Sequence, residues 1–335
     1  MKLVSTVFLL TAFFLQGLAQ ADSVHQKGRE YMRTGDWKNA LFMFNRALQA
    51  QPGNIDLLKD IAYTYYLQKD FAKALETIKP VVDGNEADVQ SFQIAGTVYR
   101  AIEDIKNGTK VYTKGLKKFP LSGVLYSEYG ELLWQKKDLN AIYEWQKGIQ
   151  ADPNYSGNYY NAARYYYFTT DKVWSLIYGE VFVNLESYTM RTAEIKNILT
   201  EGYQKLFLSP DLLKGFNDKK QTAFEKVFLT AMNSQSRGIT EALSTEKLVE
   251  IRKGFLEYWF KNYAATFPFR LFDYQKQLLE SGMFTAYNEW IFSSGSNPTA
   301  YQEWVANNKE AYDQFNYFQR GRVFKLPKDQ YYQNK

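Results

Sequence analysis

Cysteine is absent from the 335 residues, and histidine occurs once, at His25. The first absence excludes disulfides, thiol nucleophiles, cysteine-based metal sites and lipid attachment at a signal-peptide cysteine. The second excludes a His-x-x-x-His zinc site and leaves a His-centred triad only His25, close to the expected mature N-terminus, to build on. No phosphate-cradling glycine loop and no Gly-x-Ser-x-Gly elbow occurs, and strand signals are scarce. Charge of one sign is not in excess. Forty-one Lys+Arg against 36 Asp+Glu leave a formal +5, which suits solubility and points away from nucleic acid.

Long apolar runs are also missing. Leu3–Leu15 falls short of the ~20 residues a spanning helix needs, and no later segment reaches that length. It follows Lys2 and precedes Ala19-Gln20-Ala21, a small-x-small cleavage site, so residues 1–21 have the layout of a secretory signal peptide ending before Asp22. The expectation is an exported chain, periplasmic or secreted, with no transmembrane segment after cleavage and no cofactor. Aromatic residues, by contrast, are plentiful at 17%, with 27 Tyr and 24 Phe. They suit either a large-residue core or an aromatic binding surface.

What organises the chain is an interval. Gly28, Ala62, Gly96 and Gly130 stand 34 residues apart, each followed three residues later by Tyr31, Tyr65, Tyr99 and Leu133. Ala40, Ala74 and Gly108 keep the same spacing, with Phe44, Ile78 and Tyr112 four residues beyond. Pro52 and Pro120 are two intervals apart. Small residues let two helices cross closely, aromatics fill the space beside the crossing, and each proline ends a helix. A fixed period of this length predicts a helical solenoid, and solenoids bind other macromolecules.

The pattern resembles the tetratricopeptide repeat, a helix-turn-helix unit with small-x-x-aromatic on its first helix and Ala-x-x-x-aromatic on its second. Four units span 21–54, 55–88, 89–122 and about 123–153, and a degenerate fifth covers about 154–186, with Trp174 where a small residue is expected. The second half of unit four arrives one residue early, which implies a deletion in its inter-helix turn. The resemblance implies an all-α fold, a repeat domain over 22–186 and a partner held on the face of the first helices. Carried over, that register places His25, Arg29 and Met32 there, then Lys59, Tyr63 and Tyr66, then Gln93, Thr97 and Arg100, then Ser127, Glu131 and Trp134. The fifth unit adds Tyr159, Tyr160 and Tyr166. Lys59, Tyr63, Tyr66, Gln93, Arg100, Glu131, Trp134, Tyr159 and Tyr166 are therefore the candidate groove residues, for a protein or peptide partner in a bacterial cell envelope. Arg29, Asp60 and Ile94 replace residues of the family's carboxylate clamp, so an acidic chaperone tail does not fit.

Residues 187–335 carry no motif but keep a helical signal. Helices are expected at 190–207, from Ser209-Pro210 to about 234, from Ser244 or Thr245 to near Pro268, and at 298–318 as a cap. Ala286, Trp290, Ser293 and Pro298 repeat the offsets of Ala40, Phe44, Ala47 and Pro52, which marks a degenerate repeat near 267–300 with its turn at Ser281-Gly282. The tail from Gly321 is expected to be extended or disordered.

Two other functions are weighed against a scaffold. Tyr159, Tyr160 and Tyr166 form a platform for a glycan-binding module. Carboxylates such as Glu241 and Glu246 would serve a hydrolase, though such pairs also mark a solvated helix. Ser244-Thr245-Glu246-Lys247 matches Ser-x-x-Lys without its Lys-Thr-Gly partner, and Ser244 reads better as a helix cap. Asn107-Gly108-Thr109 and Asn154-Tyr155-Ser156 are formal glycosylation sequons. The balance is a non-enzymatic scaffold.

Overall fold

The computed structural model describes residues 21–218, 220–235 and 243–333, and the backbone alone of Ser296. Of the expected signal peptide, 1–21, all but Ala21 lies outside these residues, as does Glu241. Every regular element among the described residues is helical. The chain divides into two compact units, one ending at Ala141 and the other starting at Ile142.

In the first unit, α1 (21–33) and α2 (Trp37–Ala50) form one helix pair. α3 (Ile55–Leu67) with α4 (Phe71–Asp83), and α5 (Val89–Ala101) with α6 (Ile105–Lys118), form the next two, followed by α7 (Gly123–Gln135). α5 packs on α3, α4, α6 and α7, the nearest-neighbour stacking of a solenoid.

The turn between paired helices recurs in backbone detail. Gly35, Lys69, Glu103 and Lys137, 34 residues apart, all have left-handed φ, at 80°, 63°, 58° and 59°. The next residue is always aspartate. The amides of Asp36, Asp70, Asp104 and Asp138 donate to the carbonyls of Tyr31, Tyr65, Tyr99 and Leu133 at 2.9–3.1 Å. Asp36, Asp70 and Asp104 then cap α2, α4 and α6 by accepting from Asn39, Lys73 and Asn107.

Because that phase holds through Asp138, the deletion in unit four is not in the inter-helix turn, where the sequence placed it. It falls just after. The Ala40, Ala74 and Gly108 amides reach back four residues to the capping aspartate's carbonyl, whereas the Ala141 amide reaches back three, to Asp138. The first turn of the second helix is tightened, and α8 (Ala141–Ala151) starts late.

The small residues act as expected. A Cβ on Gly28 would meet the Phe44 ring at 2.5 Å, and one on Gly96 the Tyr112 ring at 2.2 Å. Where the small residue is Ala62, the partner at the same offset is the slimmer Ile78. All three partners are fully buried.

In the second unit, α9 (Ser156–Tyr167) pairs with α10 (Val173–Leu185), and α11 (Met190–Leu206) packs on both. That is the relation of α5 to α3 and α4, so the helix stack runs on past 186, where the small-residue period stops. Leu199 stands one interval after Tyr165 and is buried, but Lys196 stands one interval after Ala162 in place of a small residue. The Lys196 ammonium lies 3.9 Å from the Trp290 ring centroid and 3.0 Å from the Ser294 hydroxyl, and burial pushes it down to about 7.

The rest is a bundle: α12 (Ala223–Asn233), α13 (Thr245–Asn262), α14 (Arg270–Glu280), α15 (Phe284–Asn288), a π-turn (Glu289–Ser293), α16 (Ser294–Ser296), α17 (Pro298–Asn307) and α18 (Lys309–Gly321). Ser209-Pro210 does not open a helix. Gly215 turns left-handed at φ 86°, and the helix starts at a Thr222–Glu225 capping box instead. Ser244 is indeed a cap, accepting from the Lys247 amide, and α13 stops at Asn262, short of Pro268. The expected 298–318 helix is broken at Asn308, whose side-chain amide binds the Trp304 carbonyl. The Ser281-Gly282 turn is present, with Gly282 at φ 75°. Residues 322–333 are extended and held against the unit by side-chain hydrogen bonds.

Candidate functional site

The first-helix face of the first unit is built from α1, α3, α5 and α7, held in order by the stacking above. Its polar residues pair across neighbouring helices at repeated offsets. Arg29 Nε donates to Asp60 at 2.6 Å, and His25 Nε2 lies 2.7 Å from the same carboxylate oxygen. Gln93 donates to Glu128 at 2.8 Å, and Arg100 binds Glu131. The offsets are 31 residues for Arg29–Asp60 and Arg100–Glu131, and 35 for His25–Asp60 and Gln93–Glu128. A pair at such an offset reaches from one unit to the next, so these contacts fix register.

Lys59 is in the interior at 3% exposure, not lining an open groove. Its ammonium sits 2.8 Å from Asp56 and 2.6 Å from Asp88. Burial alone would lower it, but the two carboxylates outweigh that and leave it raised. Burial raises the Glu128 carboxyl, opposed by hydrogen bonds from Gln93 and the Tyr112 hydroxyl. His25, placed on this face by register, is half-buried against Phe44, 5.6 Å between ring centroids. The Asp60 position of the clamp is thus consumed inside the protein.

The aromatic candidates differ. Tyr63 is 39% exposed and Trp134 38%, while Tyr66 is half-buried. Tyr63 and Tyr66 stack 5.8 Å apart at 21°. Chemically, this face is a row of internally paired charges with aromatic surface left toward solvent.

In the second unit Tyr159 is buried at 3% exposure, edge-on to Tyr178 at 5.6 Å. It is core rather than groove lining. The Tyr166 hydroxyl accepts from Gln146 at 2.7 Å and Gln333 at 2.6 Å. Tyr160 donates to Glu194 at 2.5 Å, and the Arg164 and Arg191 guanidiniums lie 5.1 and 5.0 Å from its ring centroid. Those cations cover the ring faces a sugar would need.

Sequence reading missed a buried polar network in this unit. Glu180 Oε1 accepts from Arg252, from Gln275 at 2.7 Å and from the Tyr287 hydroxyl at 2.9 Å. Arg252 also donates to Asn288. Glu180 is 3% exposed and Arg252 1%. The partners are 72 to 107 residues apart, so no local pattern could announce them. A second missed feature is a cleft of about 660 Å³ lined by Lys172, Lys205, Lys214 and Lys220. Asp171 borders it; burial, together with the neighbouring Glu225, raises its carboxyl to about 8. The aspartates at 34-residue spacing before the second helices were legible and would have strengthened the period. Among the described residues, no helix is long and apolar enough to cross a membrane.

Residues 31–93 match the family model of the tetratricopeptide repeat, and the helix pairs of the first unit are such repeats. No curated protein matches the sequence. Solved structures similar to the chain include MamA (residues 41 to end) from Desulfovibrio magneticus RS-1, at 15% identity and TM-score 0.39, covering 50% of this chain and 93% of that one. TTC0263, a thermophilic TPR protein of Thermus thermophilus, is similar at 14% identity and TM-score 0.45, over 53% and 98%. PilF of Pseudomonas aeruginosa is similar at 15% and 0.46, over 60% and 95%. Tetratricopeptide-repeat proteins are in general scaffolds for protein–protein interaction.

Proposed function

We propose that the protein is an exported scaffold of the bacterial cell envelope that holds a segment of another protein on the first-helix face of its first unit. The observation that carries this reading is the stacked pair of exposed Tyr63 and half-buried Tyr66, with exposed Trp134 on the same helix class, set in a row of paired charges. Tyr and Trp supply large contact area with little rotamer entropy to lose. Pairs such as Arg29–Asp60 and Arg100–Glu131 hold successive helices in register, so the aromatics are positioned before a partner arrives. Export rests on Lys2, the Leu3–Leu15 run and the Ala19–Ala21 cleavage pattern.

The test expresses the full chain, isolates envelope and medium fractions, and crosslinks. The expected product begins at Asp22 and carries a protein partner. Replacing Tyr63, Tyr66 and Trp134 together by Ala should weaken capture at least about 100-fold with helicity intact. Capture that survives the triple replacement rejects the face, and an unprocessed cytoplasmic chain rejects export.

A further inference from the structure

The C-terminal segment lies on the second unit in the manner of a bound peptide. Among the described residues after Gly321 there is no helix. Phe324 and Leu326 are buried while Val323 and Lys325 are exposed, the alternation of an extended strand with one face down. Asn154, in the turn ahead of α9, binds the main chain of Leu326 twice. Its Oδ1 accepts from the Leu326 amide at 2.9 Å and its Nδ2 donates to the Leu326 carbonyl at 3.1 Å. A paired side-chain amide of this kind recognises an extended backbone whatever the side chain on it.

Pro327, Lys328 and Asp329 then stand out in solvent, and the segment returns. Gln330 Oε1 accepts from the Arg270 amide at 2.6 Å. Tyr331 lines a small cleft together with Tyr159, Trp174, Ile177 and Tyr178. The Tyr332 ring stacks on Phe224 at 4.8 Å, and its hydroxyl donates to the Pro268 carbonyl at 2.5 Å. Gln333 donates to the Tyr166 hydroxyl at 2.6 Å and accepts from Tyr178. Two anchored stretches joined by a solvated spacer are what a groove built for an extended ligand would hold.

We infer that this groove is a peptide-binding site kept closed by the chain's own residues 322–333. Its ligand is an extended segment of another protein that copies their layout: two apolar residues two apart, a polar spacer, then an aromatic pair flanked by amides. The site uses other helices and other residues than the first-helix face, so either can fail alone. The resident segment competes as a tethered ligand, at an effective concentration of about millimolar for a short flexible connection. An incoming segment therefore binds weakly until the resident one is weakened. While the tail is seated, the Asn154 amide is engaged with Leu326, so the sequon at 154–156 is blocked.

The probe is a fluorescent synthetic peptide of residues 322–333, titrated into the full chain and read by anisotropy. Leu326→Asp, which places a charge where Leu326 is buried, should vacate the groove. It should raise peptide affinity at least about tenfold over the unsubstituted chain, because a closed competitor is removed. Adding Asn154→Ala to that variant should abolish the gain, and a scrambled peptide should bind neither. Tyr332→Ala provides a second way to loosen the tail should Leu326→Asp fail to fold. Folded variants that bind no peptide, or a tail released only when the whole unit melts, would overturn the proposal by making 322–333 part of the core.

Discussion

The two units bury charge in opposite ways. In the first, Arg29–Asp60 and Arg100–Glu131 pair at a fixed offset between neighbouring first helices, and each pair, like buried Lys59 with Asp56 and Asp88, keeps a partner in contact with water. In the second, Glu180 and Arg252 are closed off from water and depend on Gln275, Tyr287 and Asn288 of α14 and α15, helices whose bonds to Glu180 span 95 and 107 residues. A repeat can spread its polar contacts because each unit needs only its neighbour. A bundle without a period concentrates them, and the removal of one member leaves the others stranded.

The comparison breaks most visibly at Arg252. Arg252→Ala leaves the Glu180 carboxylate buried without its cation and should cost about 3–5 kcal/mol. Arg100→Ala, at a half-exposed pair, should cost no more than about 1 kcal/mol. Urea denaturation of both variants measures the contrast. Equal shifts in midpoint would show that the two networks are the same kind of contact after all.

Legibility follows the same line. The small and aromatic marks of the first unit recur because each repeat solves one packing problem, so Gly28, Gly96, Phe44 and Tyr112 could be placed from spacing alone. The face was readable only in part. Register put Lys59 and Tyr159 among the lining residues, but register does not tell whether a side chain finds a carboxylate pair or a neighbouring ring that draws it inside. The period was lost at Lys196 because a lysine fills a small-residue position, and its contacts with the Trp290 ring and the Ser294 hydroxyl, 94 and 98 residues away, explain how it fits. Ser209-Pro210 looked like a helix start because local capping chemistry is similar in a turn, and Gly215 decided the matter.

A smaller effect sharpens the account of the repeat. Tyr112 is fully buried and its hydroxyl is 3.1 Å from Glu128, so it cannot retreat from a Cβ at position 96. Gly96→Ala should cost about 1–3 kcal/mol by overpacking. Adding Tyr112→Ile copies the Ala62–Ile78 pair and should recover part of that loss, the remainder reflecting a Glu128 carboxyl without its tyrosine donor. No recovery in the double variant, followed by thermal melting, would mean that the two positions do not compensate as the second repeat suggests.

The smallest effect tests whether the four turns are equivalent. Lys69, Glu103 and Lys137 hold a left-handed φ that Gly35 reaches without strain. Replacement by glycine removes the Cβ clash, worth about 1 kcal/mol, while the freer unfolded chain takes back about 0.4–1 kcal/mol. Lys69→Gly and Glu103→Gly should therefore be neutral or stabilising, by less than about 1 kcal/mol. Lys110→Gly, on an exposed mid-helix position of α6, should lose about 1 kcal/mol. The sign is what matters. If the turn glycines lower the melting midpoint as far as the mid-helix one does, the left-handed residues contribute something besides backbone geometry. If they do not, the first unit tolerates strain in three of its four turns because the aspartate that follows holds the turn in place whichever residue precedes it, Asp70 and Asp104 by accepting from the helix each opens and Asp138 by accepting from the Asn140 amide just ahead of α8.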